Sequence, residues 1–235
     1  MQIQVRLSPS KQLIVPFNYN YQLQSAIYTK LAEIGASDFW HDVGFGKINK
    51  FKAFSFGPLK GKYTVANNHI IFEDYVSFEL RSPIYGFCDD FQRAIELFPD
   101  FKLFDTDLRV INAYVSNKHI NQQQVSFSTD TPIIIYSRQE DGFTKYYSPE
   151  DEEFYVGICN NYENKYESIL KKSAEPIKIR PIGNYKKVVT KYKETWLTAY
   201  RVQLEVLGSP KSLEFLYNTG MGTKNSQGFG FLKLL

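Results

Sequence analysis

Apolar and polar positions alternate over Gln2 to Leu7, the period of two that a half-buried strand requires. After Pro16 the period changes. Leu23, Ile27, Leu31 and Ile34 recur at helical spacing, which predicts a helix from about Tyr21 to Ile34, with Asn18 or Asn20 to cap it and Gly35 to stop it. Residues 37–46 are too rich in glycine and polar side chains for regular structure and read as a loop held down by its aromatics. Phe51 to Phe56 alternates as a strand, Pro58 and Gly61 turn it, and Asn67-Asn68 break the chain before a hairpin strand from His69 to about Leu80. A second helix over about Cys88 to Leu97 is expected to carry Phe91, Ala94, Ile95 and Phe98 inward, and Leu108 to Tyr114 closes this half as a strand.

The polar stretch from Ser116 to Gln124 interrupts the pattern. It sets an N-terminal domain at 1–117, a linker at 118–124 and a C-terminal domain at 125–235. In the second half the order repeats. A strand is expected at Pro132 to Tyr136, a helical region from about Pro149 to Lys171, and two long strands at Ile177 to Thr190 and Thr195 to Leu207. A short helix at Pro210 to Tyr217, a glycine-rich loop and a last strand to Leu235 follow. Each half reads βαββαβ, so the fold class is α+β, with tandem ferredoxin-like (RRM-like) domains and a basic cleft between or beside them.

With 43% hydrophobic, 16% aromatic and 23% charged residues, the composition is that of a globular chain and not of a disordered one. No apolar run approaches the roughly 20 residues of a membrane span, and the alternating N-terminus reads as a strand and not a signal peptide, so the expectation is a cytoplasmic protein with no membrane partner. Cys88 and Cys159 have no metal-ligand spacing around them and read as reduced, half-buried thiols. The formal charge of +3 is small, but its distribution is uneven. Lys171 to Arg201 holds nine basic residues against Glu175 and Glu194, whereas Gln139 to Ser168 holds eight acids against Lys145 and Lys165. A basic block beside an acidic one suggests one face built for phosphates, with Lys186, Lys187, Lys191, Lys193 and Arg201 presented along the long strand pair.

The chemistry points to both ends of the chain. Near the C-terminus, Gly220-Met221-Gly222 and Gly228-Phe229-Gly230 flank a five-residue polar centre with one base, Lys224. Glycines at φ > 0 let a loop turn several N–H groups onto one anion, such as a polynucleotide phosphate. Near the N-terminus His41 sits in the glycine-flanked loop with Lys47, Lys50 and Lys52 just downstream; an imidazole there can serve as general acid or base. His69, in a strand, and His119, in the linker, read as structural or solvated. No HExxH, Cys/His cluster, nucleophile elbow or Walker loop is present, so neither metal nor cofactor is expected.

The two Gly-h-Gly pairs around a polar centre resemble the C-terminal signature of the repeat-RNA-processing endoribonucleases of CRISPR systems, members of the RAMP superfamily. Ser25-Ala26-Ile27-Tyr28, Phe39 to Phe45, Phe51 to Phe56 and Thr131 to Ile135 resemble further stretches of that family, with Trp40 where leucine is common. The resemblance implies metal-independent cleavage of precursor CRISPR RNA within repeats by 2′-OH attack, giving 2′,3′-cyclic phosphate and 5′-OH ends. It also implies CRISPR repeat RNA as partner, with further effector subunits or a homodimer left open. A catalytic set of Tyr28, His41 and Lys47 carries over, with Lys50 and Lys52 as rival phosphate contacts and Gly220, Gly222, Lys224, Gly228 and Gly230 as RNA-binding loop. The alternative is a non-cleaving RNA-binding subunit of the same superfamily.

Overall fold

The structure is a computed structural model describing residues 1–40, 44–46 and 50–235. The first half contains β1 (Gln2–Pro9), β2 (Leu13–Pro16), α1 (Asn20–Glu33), β3 (Ser55–Phe56), β4 (Tyr63–Ala66), β5 (His69–Phe72), β6 (Val76–Arg81), α2 (Tyr85–Leu97), β7 (Asp100–Leu103) and β8 (Thr106–Ser116). Its main sheet runs β3-β6-β1-β8-β7, and β2-β5-β4 form a small separate sheet. The second half contains β9 (Gln124–Thr129), β10 (Tyr136–Arg138), β11 (Thr144–Tyr146), α3 (Glu152–Leu170), β12 (Lys178–Pro181), β13 (Lys186–Tyr192), β14 (Thr195–Arg201), β15 (Gln203–Leu207), α4 (Pro210–Thr219) and β16 (Leu232–Leu234), with sheet order β12-β15-β9-β16. With β7 set aside as an edge addition, both sheets place the second, third, first and fourth strands of a βαββαβ unit side by side, all antiparallel. The chain is a tandem of ferredoxin-like domains.

Several elements differ from their prediction for identifiable reasons. The first strand of the second half is β9, not Pro132 to Tyr136. Ile133, Ile134 and Ile135 are buried as a strand would be, but only Ile133 pairs, with Tyr200 of β14, while Pro132 O and Ile134 O accept from Gly230 and Thr223 of the glycine loop. The two long strands each break once, so that β12 with β15 continues the sheet and β13 with β14 projects as a separate hairpin. Pro181 and Gly183, at φ 89°, mark the break. The strand expected over Phe51–Phe56 is reduced to a bridge at Phe51 and two residues at its end, because Ala53 and Phe54 turn into the core, where Phe54 stacks on Phe87 at 4.6 Å. Phe98, expected inside, lies past the end of α2 and is exposed.

A dense set of contacts fixes the two domains against each other. Arg81, at the end of β6, is buried with its guanidinium between the rings of Tyr217 and Phe231, 3.7 and 3.9 Å from their centroids. It donates to Tyr217 O and Leu232 O, while Ser55 Oγ donates to Asn218 O. Burying a charge is costly unless hydrogen bonds and an opposite charge offset it, and Glu79, 2.6 Å from Arg81 Nε, supplies the latter.

Candidate nucleic-acid interface and active site

The glycine loop follows from α4. Ser209 caps this helix by accepting from Ser212 N, Pro210 opens it, and Gly220 ends it at φ 79°. The four glycines all have positive φ, and what each avoids is contact with its own chain. A Cβ on Gly230 would stand 1.9 Å from Met221 O, and one on Gly220 would stand 2.8 Å from Gly230 O. The two Gly-h-Gly arms therefore cross in contact, joined by the Met221 N to Gly230 O bond of 3.0 Å. Within the polar centre, Lys224 is left-handed at φ 61° and starts a 3-10 turn over Asn225–Gln227. The N–H groups of Gly220, Gly228 and Gly230 bond inside the protein. Those of Gly222, Lys224, Asn225 and Ser226 donate to nothing among the described residues. A run of open amides around a left-handed residue is a concavity for an anion.

This loop faces α1 of the other domain. Tyr28, half-buried, packs edge-on against Phe54 at 5.6 Å and lines a cleft of about 1050 Å³ together with Gln24, Lys50 and Lys52, the loop residues 222–227, and Asn161 and Lys165 of α3. The hairpin closes one wall, since Tyr192 donates its hydroxyl to Gln24 Oε1 and Lys193 lies 4.6 Å over the Tyr21 ring. Asn20, predicted as a helix cap, instead donates from Nδ2 to Gln227 O and Gly228 O at 3.2 Å each, tying the start of α1 to the loop. Five lysines line the cleft (50, 52, 165, 193 and 224), and no carboxylate does among the described residues. Burial, then Arg138, pushes the Lys224 ammonium down from its ordinary range. Two buried acceptors on the cleft wall, Asn161 Oδ1 and Gln227 Oε1, have no hydrogen-bond partner among the described residues.

The predicted residues separate accordingly. Tyr28, Lys50, Lys52, Gly222, Lys224 and Lys193 meet in the cleft, whereas His41 and Lys47 lie outside the described residues. The Lys52 amine lies against Gly44, where an added Cβ would be 3.1 Å from it. The basic row of the strand pair divides. Lys186 and Lys187 are exposed on β13, Lys191 pairs with Glu194 at 2.7 Å, and Arg201 donates to Asp130 O beside a separate recess next to Gly228 and Phe229. Of that row Lys193 reaches the main cleft, because it sits past the end of β13 in the turn of the hairpin, left-handed at φ 52°, and the hairpin stands away from the domain sheet. His69 bonds Asn67 O, and His119 lies 3.4 Å from Glu214; neither enters the cleft. Among the described residues no group of three or more His, Cys, Asp or Glu side chains is placed to hold a metal ion, and no helix is long and apolar enough to cross a membrane.

The family profile described as CRISPR associated protein Cas6, C-terminal, matches residues 115–234, more than half of the chain. The chain belongs to the Cas6 family. Over 99% of its length it is 27% identical to CRISPR-associated endoribonuclease Cas6 1 of Methanocaldococcus jannaschii, covering 92% of that protein. Its fold is similar to that of a Cas6-related protein from Pyrococcus furiosus, with TM-score 0.85, 23% identity and coverage of 100% of this chain and 98% of the other. It is equally close to a structure described as a RAMP protein binding different RNA substrates, with the same TM-score and identity and coverage of 100% and 99%. In this Cas6 chain the residues missed by sequence reasoning are Gln24, Asn161, Lys165 and Tyr192. Lys165 did leave a signal. It falls within the buried stripe Phe154, Ile158, Tyr162, Tyr166 and Ile169, where helical spacing calls for an apolar side chain.

Proposed function

We propose that this chain is an endoribonuclease that cleaves precursor CRISPR RNA within its repeats without a metal ion, leaving 2′,3′-cyclic phosphate and 5′-hydroxyl ends. The observation that carries the reading is the cleft itself, in which Tyr28 of the first domain faces the glycine loop of the second across a lysine-lined space to which no carboxylate among the described residues contributes. A polyanion is the ligand such a space suits. The reaction breaks the P–O5′ bond as the ribose 2′-oxygen bonds to the same phosphorus. One group must take the 2′-OH proton, another must protonate the leaving 5′-oxygen, and cations must offset charge on the phosphorane. In this reading Tyr28 and His41 move the protons, Lys47, Lys50 or Lys52 holds the scissile phosphate, and the open amides of the loop with Lys224 hold a flanking one. The unpartnered acceptors Asn161 Oδ1 and Gln227 Oε1 suit ribose hydroxyl or base amine donors.

The test is incubation of the purified protein with repeat RNA in EDTA, followed by analysis of the ends. Cyclic phosphate and 5′-hydroxyl ends are expected, and an absolute need for divalent ions overturns the mechanism. His41→Ala should abolish cleavage and retain binding; a variant that still cleaves removes His41 from its role. RNA bound but never cut by the wild-type protein points instead to the non-cleaving RAMP subunit.

A further inference from the structure

We propose that Lys165 is a phosphate-binding residue of an anion pocket at the glycine loop: its amine holds the two glycine arms together and, protonated, meets an RNA phosphate lodged on them. The inference rests on the RNA-binding reading above and adds a residue from a helix that the sequence motifs did not touch.

Lys165 is buried on the inner face of α3. Its Nζ donates to Gly220 O at 2.7 Å and to Asn225 Oδ1 at 3.0 Å. Asn225 passes the connection on, since its Nδ2 donates to Met221 O and Phe229 O at 3.0 Å each. One ammonium thus ties the first Gly-h-Gly arm to the second through a single amide. An ammonium has three donors and two are used here. Lys165 lines the cleft, as do Gly222, Lys224, Asn225 and Ser226, whose N–H groups are open.

The charge balance points the same way. A buried lysine is ordinarily paired with a carboxylate, yet among the described residues Lys165 enters no ion pair. The groups that face it across the cleft are Tyr28 of α1, Lys50 and Lys52 of the following loop, Tyr136, Tyr192 and Lys193 of the hairpin, and Lys224, with Tyr162 and Tyr166 beside it on α3. None is acidic. The loop's own stability gives no reason to leave a cation there without a counter-charge, because a neutral donor would serve the same two acceptors. Burial pushes the Lys165 ammonium down to about 7. A bound phosphodiester would supply the missing counter-charge and raise its proton affinity, so binding near neutral pH would draw in a proton.

The experiment measures binding of a repeat RNA carrying a 2′-deoxy nucleotide at the cleavage position. Salt dependence is followed, and calorimetry at pH 7.5 in two buffers of different ionisation enthalpy counts protons taken up. Wild type should take up a fraction of a proton. Lys165→Met should bind at least about tenfold more weakly, with a salt slope lower by about 0.7 and less proton uptake; Lys224, unchanged in both proteins, cancels in the difference. Lys165→Arg, which cannot lose its proton in this range, should keep the salt slope and lose the uptake, and it serves if the Met variant does not fold. A folded Lys165→Met protein with wild-type slope and uptake overturns the proposal and leaves Lys165 a structural staple. Wild type that fails to bind the RNA at all overturns the functional reading, and this inference with it.

Discussion

Alanine at Gly230 offers a sharp test of why the glycine signature exists. The position is at φ 67°, and an added Cβ would fall 1.9 Å from Met221 O, a backbone atom that cannot swing aside. Left-handed φ costs a non-glycine residue roughly 1–2 kcal/mol. Moving the arms apart also strains the Met221 N to Gly230 O and Gly230 N to Pro132 O bonds, 3.0 and 2.9 Å long, at about 1 kcal/mol each. The expected loss for Gly230→Ala is therefore roughly 3–4 kcal/mol. Gly35 is the control, with φ 72° and no atom within 4 Å of its added Cβ; there Gly35→Ala should cost only the roughly 1–2 kcal/mol of conformation. Urea unfolding followed by circular dichroism reads the difference, and thermal unfolding should separate the two variants by roughly 4–8 °C. Equal losses in the two variants would refute the reasoning that the arms need glycine for backbone crossing.

Three further outcomes are expected. Arg81→Met should cost roughly 2–5 kcal/mol, since it leaves Tyr217 O, Leu232 O and Glu79 without their donor, and calorimetry should then resolve separate melting of the two domains; an unchanged single transition counts against Arg81 as the tie between them. Lys165, held to about 7 in the fold against 10.5 unfolded, binds fewer protons folded than unfolded between those values. Stability from this group therefore rises with pH across that window, by up to about 1.4 kcal/mol per pH unit, and is at its lowest below it; urea midpoints at pH 7, 8 and 9 should show a rise that Lys165→Met flattens. Cys88 is fully buried, with burial pushing its thiol up to about 11, whereas Cys159 is only partly covered, so a thiol reagent should modify Cys159 in the native protein and reach Cys88 only on unfolding.

How much was legible can be judged from particular elements. Helix α1 was predicted from Tyr21 to Ile34 and forms over Asn20–Glu33, because Leu23, Ile27 and Leu31 declare a single buried face through local spacing. The βαββαβ order was legible for the same reason. The partners of the irregular segments were not. The isoleucine run 133–135 looks like any buried strand, yet Ile134 O accepts from Thr223 of the glycine loop 89 positions later, while Ile133 O and Ile135 O accept from Tyr200 and Tyr147. Asn20 has the side chain of a cap and ties the loop instead. The basic row from Lys186 to Arg201 is close in sequence and divided in space, since the hairpin puts Lys186 and Arg201 on one face, Lys187 and Lys191 on the other, and Lys193 in its turn.

The sequence by itself determined the alternating and helical periods, the glycine spacing and the uneven charge, since each depends only on neighbours within a turn or a strand. Tertiary structure decided which ends of the chain share a cleft, that the glycines cross one another, and that one lysine of α3 sits beneath them without a counter-charge among the described residues. Those facts arise from contacts between residues up to about 200 positions apart, and no local period carries a record of them.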